Sequence, residues 1–195
     1  MALISSGDAG VYGMAGPTYE VLFQAGWTPN DNVTIKIIPG ASALNSCAAL
    51  VGAPLTHDFC AISLSDLLTP WPAIARRLEA AAATDFITAL YNPKSGRRTR
   101  QIVQAQRIFL RHRSPETSVV IVKSAWRRRQ HIAHTTLAHI AEVLVRSARK
   151  PCLRCPPSPS WTCAALKICL ITVSSPRKAR RRTRLMRCRK PSAAS

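Results

Sequence analysis

Residues 5–16 read SSGDAGVYGMAG, and they indicate the fold of this chain more strongly than any other segment. Four glycines and one carboxylate, that of Asp8, follow a short apolar run at residues 2–4. Glycine lets the backbone approach a ligand closely, and a carboxylate accepts hydrogen bonds from hydroxyl or ammonium groups. Most glycine-rich turns after a strand only reverse the chain. The segment alone therefore leaves two interpretations open, a ligand-binding loop and an ordinary turn.

Around this segment, the apolar pattern alternates between the periods of strands and helices. Strands are predicted over residues 2–5, 33–38, 59–63, 86–91, 119–122 and 130–132. Helices are predicted over residues 17–25, 42–50, 74–83, 95–112 and 137–145. Such alternation predicts an α/β fold, and the continuous apolar run at 119–122 is typical of a strand in a parallel sheet.

The same pattern divides the chain into two small α/β units and a tail. Prolines on either side of Trp71 place the break, so the first unit is residues 1–70 and the second is residues 71–146. Residues 147–195 follow neither period for long. We therefore predict an irregular C-terminal tail outside the fold.

Charge and cysteine content change at the same boundary. Residues 1–146 contain 15 Lys and Arg and all nine acidic residues, whereas residues 147–195 contain 13 Lys and Arg and no acid. Five of the seven cysteines also lie in the tail. These features favour out-of-frame translation or a divergent end. They also predict nonspecific, salt-sensitive binding of nucleic acid, and deletion of the tail is expected to leave the body no less soluble.

Four further segments follow residues 5–16 in order: IIPGASALN (37–45), GAPL (52–55), SLSDLLTPW (63–71) and ALYNPKS (89–95). In order and spacing, residues 1–140 resemble the tetrapyrrole methylase family. Within it, they resemble most the branch that methylates precorrins at C-17 in cobalamin biosynthesis. Residues 5–16 and 64–71 carry the part of the resemblance that is specific to this branch.

The resemblance implies an S-adenosylmethionine-dependent C-methyltransferase with its cofactor folded between two α/β domains, usually as a homodimer. It also implies an N-terminal strand and loop ahead of residues 5–16, and a further strand and glycine-containing turn near residue 147. Neither is recognised in the sequence, so the first unit is predicted to be incomplete. Two alternatives remain open, a basic nucleic-acid-binding protein and an inactive pseudoenzyme.

By the resemblance, nine residues contact the cofactor, mostly through backbone groups. They are Ser6, Gly7, Asp8, Val11, Ser42, Ala43, Tyr91, Ser124 and Ala125. Ser42 and Ala43 open a predicted helix, where N–H groups without an intrahelical partner point outward. Each position is also compatible with an ordinary turn between strand and helix. Their occurrence in family order favours the cofactor site.

Candidates for acid–base chemistry are few. Methyl transfer from a sulfonium needs orientation and exclusion of water more than a dedicated nucleophile. The ring contraction that the resemblance also implies needs a proton donor or acceptor, for which Asp66, His57 and Asp58 are candidates. Each of the three is also explained as a helix cap or a surface residue.

A basic rim suits a substrate that carries many carboxylates, as precorrins do, because guanidinium groups pair well with carboxylates. Lys94, Arg97 and Arg98 follow the predicted strand end, and a second run, residues 127–129, follows Trp126. We expect these residues to border the substrate. A solvated helix face and loop explain them equally well.

Other classes of site and location find no support in the sequence. No segment approaches the roughly 20 apolar residues of a membrane-spanning helix, and no basic segment precedes the first apolar run as in a secretory signal. The interpretation is a cytoplasmic protein. Cys152 and Cys155 lack a second CxxC pair and histidines at zinc-finger spacing, so no metal site is predicted.

Overall fold

A computed structural model describes residues 1–52, 54–95, 99–146 and 167–171. Its α-helices are α1 (Ala15–Gln24), α2 (Ala43–Leu50), α3 (Trp71–Ala83), α4 (Arg100–Leu110) and α5 (Ile140–Arg146). Its strands are β1 (Phe59–Ser63), β2 (Ile87–Tyr91), β3 (Ser118–Lys123), β4 (His131–Thr136) and β5 (Lys167–Ile171). The predicted α/β class is confirmed.

The five strands form one sheet in the order β1-β2-β5-β3-β4. Strands β1 and β2 are parallel, whereas β5 is antiparallel to both β2 and β3, and β3 is antiparallel to β4. The parallel direction expected for residues 119–122 is therefore wrong. The continuous apolar run reflects burial on both faces of the strand, which does not depend on the direction of its neighbours.

Successive residues of the central strands point to opposite faces of the sheet. Leu90 and Ile121 face a core formed with α3, α4 and α5, whereas Ala89 and Val122 face a smaller core formed with α2. Both faces of the sheet are thus covered, one by α3, α4 and α5 and the other by α2.

The N-terminal region corrects two strand predictions. Residues 2–5 and 33–38 are not strands, and side chains such as Ile4 and Ile38 are 92% and 66% exposed. A strand needs a neighbour for its backbone N–H and C=O groups, and neither segment pairs with a strand in the described part of the chain. Of residues 1–42, only α1 is regular secondary structure.

Strand β5 corrects the expectation that no strand follows residue 146. Residues 167–171 lie between β2 and β3 and pair with both along their length. The rest of 147–195 lies outside the described residues. The predicted boundary at residue 70 separates β1 from β2, which are hydrogen-bonded neighbours; the division into units stays a prediction.

Candidate ligand-binding cleft

The carboxylate of Asp8 fixes the shape of the glycine-rich loop. Its Oδ1 accepts the backbone N–H groups of Gly10 at 2.8 Å and Val11 at 3.0 Å, and its Oδ2 accepts that of Gly40 at 2.9 Å. These bonds favour the charged form and lower the pKa of Asp8 below 3.8, with the Gly40 bond contributing most. Asp8 therefore joins the loop to the turn before α2.

Glycine is required where these two segments cross. A Cβ on Gly40 would lie 2.3 Å from the carbonyl oxygen of Gly7, and one on Gly13 would lie 2.5 Å from the carbonyl oxygens of Asp8 and Ala9. Gly7 itself has a φ of +84°, a conformation that costs glycine little. The backbones thus approach more closely than side chains would permit.

Two tyrosines connect the loop to the sheet and to α2. The ring centroids of Tyr12 and Tyr91 are 4.7 Å apart. The Tyr12 hydroxyl donates to the carbonyl of Ala61 at 3.0 Å, and the buried Tyr91 hydroxyl accepts the N–H of Leu44 at 3.0 Å. Burial is the main cause that raises the pKa of both phenols, so both groups stay protonated at neutral pH.

Side chains of the protein accept hydrogen bonds from backbone N–H groups in the first turn of α2. Ser42 is its N-cap, and the Ser42 Oγ accepts the N–H of Asn45 at 3.3 Å. Tyr91 takes the N–H of Leu44. Two of the N–H groups expected to point toward a ligand therefore have protein partners, and Ala43 packs against the small core.

The loop after β3 reaches α2 from the other direction. Ser124 and Trp126 both have positive φ, +54° and +58°. The Trp126 indole N–H donates to the carbonyl of Ser46 at 3.0 Å, and Ala125 packs against the small core. This contact explains why the segment around Ser124 and Ala125 lies close to the helix that Ser42 caps.

A cleft of about 430 Å³ opens at the carboxyl ends of β1 and β2. One wall is the glycine-rich loop and α1, and the other is formed by β1, the loop after it and α3. The lining residues are Gly10, Tyr12, Gly13, Gly16, Pro17, Ala61, Ile62, Ser63, Ser65, Leu67, Leu68, Thr69, Arg77 and Asn92. Tyr12 and Asn92 combine positive φ with a place in this lining, as strained residues at binding sites often do.

None of the nine predicted cofactor residues is in this lining, whereas sequence neighbours of theirs, such as Gly10, Tyr12 and Asn92, are. Asp8 and Tyr91 hold the loop and α2, Ser42 caps α2, and Ser124 and Ala125 lie against that helix. Ser6, Gly7 and Val11 belong to the same loop as Gly10. The assignment of cofactor contacts to these nine residues stays a prediction.

The acid–base candidates are not brought together. His57 and Asp58 are exposed just before the amino end of β1, and Asp58 precedes Ala61, where the lining begins, by three residues, or about 10 Å at the rise of a strand. Asp66 is also exposed, and its Oδ2 accepts from the amide of Gln101 at 2.7 Å. Among the described residues, no three His, Cys, Asp or Glu side chains gather as a metal site would require.

Of the predicted substrate residues, the structure describes Lys94, which is not part of the lining. The Lys94 Nζ donates to the carbonyl of Leu144 at 3.5 Å, near the end of α5, while Arg97 and Arg98 lie outside the described residues. The residues that sequence reasoning missed are Arg77 and Asn92. The signal for Asn92 was its place in the turn directly after a buried strand, but Arg77 carried only the pattern of a solvated helix face.

A glycine-rich wall, at the carboxyl ends of two parallel strands, defines this as an α/β protein with a cleft suited to a small ligand. In the described part of the chain, no helix is long and apolar enough to span a membrane.

Comparison with known proteins gives the family. The family model for tetrapyrrole (corrin/porphyrin) methylases matches residues 1–141. The chain belongs to this family.

Three relatives show how much of such a protein the chain represents. It is 63% identical over 137 residues to a cobalt-factor III methyltransferase of Priestia megaterium, covering 70% of this chain and 25% of that protein. It is 47% identical over 137 residues to a probable cobalt-factor III C(17)-methyltransferase of Salmonella typhimurium, covering 70% and 55%. The crystal structure of the methyltransferase CobJ superposes with a TM-score of 0.66 at 30% identity, covering 85% and 62%. The chain therefore spans between a quarter and about three fifths of these relatives.

Proposed function

We propose that this chain forms part of an S-adenosylmethionine-dependent methyltransferase that methylates C-17 of a precorrin-type tetrapyrrole, with ring contraction, in cobalamin biosynthesis. The observation that carries the proposal is the glycine-rich loop, which Asp8 clamps to Gly40 and which forms a wall of the cleft. The names of the relatives supply the substrate class and the carbon. A homodimer in the cytoplasm is part of the same proposal.

The cleft suits the cofactor because its loop wall offers backbone in place of side chains. Gly10, Gly13 and Gly16 line it, and a Cβ on Gly16 would meet nothing within 4 Å. A ligand can therefore approach the main chain along this wall, where N–H and C=O groups provide polar contacts. When bound, the cofactor supplies a methyl group on a sulfonium as the electrophile.

In the proposed reaction, the residues of this chain orient the reactants and exclude water from the cleft. Asp8 keeps the glycine-rich wall in place, and the Tyr12 ring, which lines the cleft, packs against the ring of Tyr91. Asn92 donates a 3.2 Å hydrogen bond to Ser63, which holds the ends of β1 and β2 together. Orientation of this kind is the main source of catalysis when a methyl group must meet a carbon in line, and loss of about 1 Å in placement costs on the order of a hundredfold in rate.

Calorimetric titration with S-adenosylhomocysteine tests the cofactor part on the full chain. We expect binding to the wild type and at least about tenfold weaker binding to Asp8→Asn, because an amide NH₂ would face a backbone N–H in the clamp. Asp85→Asn is the matched control, since Asp85 is exposed and lies outside the lining. Absence of binding to the wild type, or equal affinity in Asp8→Asn, contradicts the assignment.

A chimera tests the substrate part separately. The 137 matched residues of the Salmonella relative are replaced by the aligned residues of this chain. The chimera is then incubated with cobalt-factor III and S-adenosylmethionine, and mass spectrometry counts the methyl groups added. We expect one added methyl, and none when the chimera carries Gly40→Ala. A chimera that binds S-adenosylhomocysteine but leaves the tetrapyrrole unmethylated overturns the substrate assignment and leaves the cofactor assignment standing.

A further inference from the structure

Two neighbouring leucines project from the loop between β1 and α3. Leu67 is 83% exposed and Leu68 is 90% exposed, and both line the mouth of the cleft. Single exposed apolar residues are common on protein surfaces. A pair at the entrance of a cleft is more informative, because it provides apolar surface that a ligand entering the cleft can contact.

The loop that carries these leucines is held at several points. The N–H of the fully buried Leu64 donates to the carbonyl of Tyr91 at 3.0 Å. Asp66 accepts from the amide of Gln101 in α4 at 2.7 Å. After the leucines, the carbonyl of Pro70 accepts the N–H of Ala73 at 3.0 Å in the first turn of α3. The exposure of the leucines is thus fixed by the fold, and Asp66 is a positioning residue for them.

Arg77 provides a positive charge in the same lining. It is exposed on α3 and makes no ion pair with a carboxylate of the described residues. Other arginines nearby are engaged: Arg111 pairs with Glu79, and Arg113 binds backbone carbonyls. A guanidinium at the edge of a cleft, with no carboxylate partner among the described residues, is suited to bind an anionic group of a ligand.

We propose that Leu67, Leu68 and Arg77 form a subsite that binds a macrocycle with an apolar ring face and carboxylate side chains, with the leucines against the ring face and the guanidinium on a carboxylate. The inference rests on the proposed function in that a precorrin is a ring of this chemistry. It places the substrate edge on the β1–α3 side of the cleft, opposite the glycine-rich wall.

Fluorescence titration of the full chain with uroporphyrin I, an octacarboxylate of the same ring class, tests the subsite. Arg77→Gln is expected to weaken binding about tenfold, the size of one lost charge-assisted hydrogen-bonded pair. Arg76→Gln is the matched control, because it removes the same charge from the adjacent exposed position of α3, which does not line the cleft. Leu67→Ser and Leu68→Ser are each expected to weaken binding severalfold.

The outcomes separate a built subsite from general attraction to a basic protein. Arg77→Lys should recover part of the lost affinity, and a tetracationic porphyrin should show no loss with Arg77→Gln. Equal effects of Arg76→Gln and Arg77→Gln overturn the proposal, as does unchanged affinity in both leucine variants. Binding of S-adenosylhomocysteine is measured on the same variants, and Arg76→Gln, which lies outside the lining, is expected to stay within twofold of the wild type. A chain that binds the porphyrin through Arg77 but not S-adenosylhomocysteine keeps the subsite and contradicts the cofactor assignment instead.

Discussion

The carboxylate of Asp8 and the backbone N–H of Gly40, 32 positions apart in the chain, form a hydrogen bond of 2.9 Å. This bond makes the glycine-rich loop and the turn before α2 one rigid unit, and the close crossing of Gly7 and Gly40 reinforces it. Asp8 therefore holds the loop that forms one wall of the cleft.

Asp8 gives the fold a dependence on pH at acid values. Its hydrogen bonds, with that of Gly40 first, lower the pKa in the folded protein below the value of 3.8 expected for the unfolded chain. The stabilisation is therefore fully present above about pH 3.8 and is lost as the pH falls through the folded-state pKa. Thermal melts at a series of pH values should show that Asp8→Asn lowers Tm at pH 6 and that the difference narrows below pH 3.8.

Glu116→Gln controls for the loss of a carboxylate as such, because Glu116 is exposed and its side chain makes no ion pair with the described residues. Its Tm should follow the wild type across the same pH series. A difference between wild type and Asp8→Asn that is unchanged from pH 6 to pH 3 would mean that the clamp does not depend on the charge of Asp8.

The hydroxyl of Tyr91 should contribute more to the free energy of unfolding than the hydroxyl of Tyr12. Tyr91→Phe leaves the N–H of Leu44 buried without an acceptor, which costs about 1–3 kcal/mol. Tyr12→Phe removes a donor from a residue that is half exposed, so the carbonyl of Ala61 can turn to water and the cost is about 0.5–1 kcal/mol. Urea denaturation measures the free energy of unfolding of both variants, and a larger decrease in Tyr12→Phe than in Tyr91→Phe would contradict the prediction.

Arg113 should be the most important arginine for stability. Its guanidinium donates to the carbonyls of Ala81, Thr84 and Phe86 at 2.7–2.9 Å, where α3 ends and β2 begins, and it lies over the ring of Phe109. Arg113→Met is expected to lower the free energy of unfolding by about 2 kcal/mol, because these carbonyls lose charged donors.

Arg111→Met is the matched comparison for Arg113→Met. It breaks an ion pair with Glu79 whose two side chains are 62% and 42% exposed, and such pairs contribute about 0–1 kcal/mol. Equal losses in the two variants would mean that Arg113 stabilises through its charge alone and not through its hydrogen bonds.

Two truncations separate β5 from the remainder of the tail. Deletion of residues 147–195 removes the strand between β2 and β3 and leaves their facing backbone groups unpaired. We therefore expect aggregation or loss of cooperative unfolding, which reverses the expectation from composition that the body stays no less soluble. Deletion of residues 172–195 keeps the strand and should preserve the folded body. Size-exclusion chromatography and thermal melts check both, and equal behaviour of the two proteins would contradict a role for β5.

The same pair of truncations tests nonspecific binding of nucleic acid. Residues 172–195 contain nine of the 13 basic residues of the tail, so their deletion should remove most retention of DNA at low salt. A gel shift that is unchanged by this deletion would mean that basic residues outside 172–195 bind the DNA.

The sequence alone determined the elements whose signals are local. The Ser42 cap places the start of α2, the apolar run over residues 59–63 matches β1, and the quoted segments identified the family from residues 1–140. Caps, apolar periods and motif spacing act over a few residues, so they can be recognised without knowledge of the neighbours.

Only the tertiary structure decided which groups face one another. Whether an apolar segment becomes a strand depends on a partner, which β5 finds between β2 and β3 and residues 33–38 lack within the described chain. The same holds at the site: the carboxylate of Asp8, which is predicted to contact a ligand, accepts the N–H of Gly40, and Arg77 enters the lining because α3 packs beside β1. Backbone pairing and cleft geometry join residues tens of positions apart, and no local pattern encodes those distances.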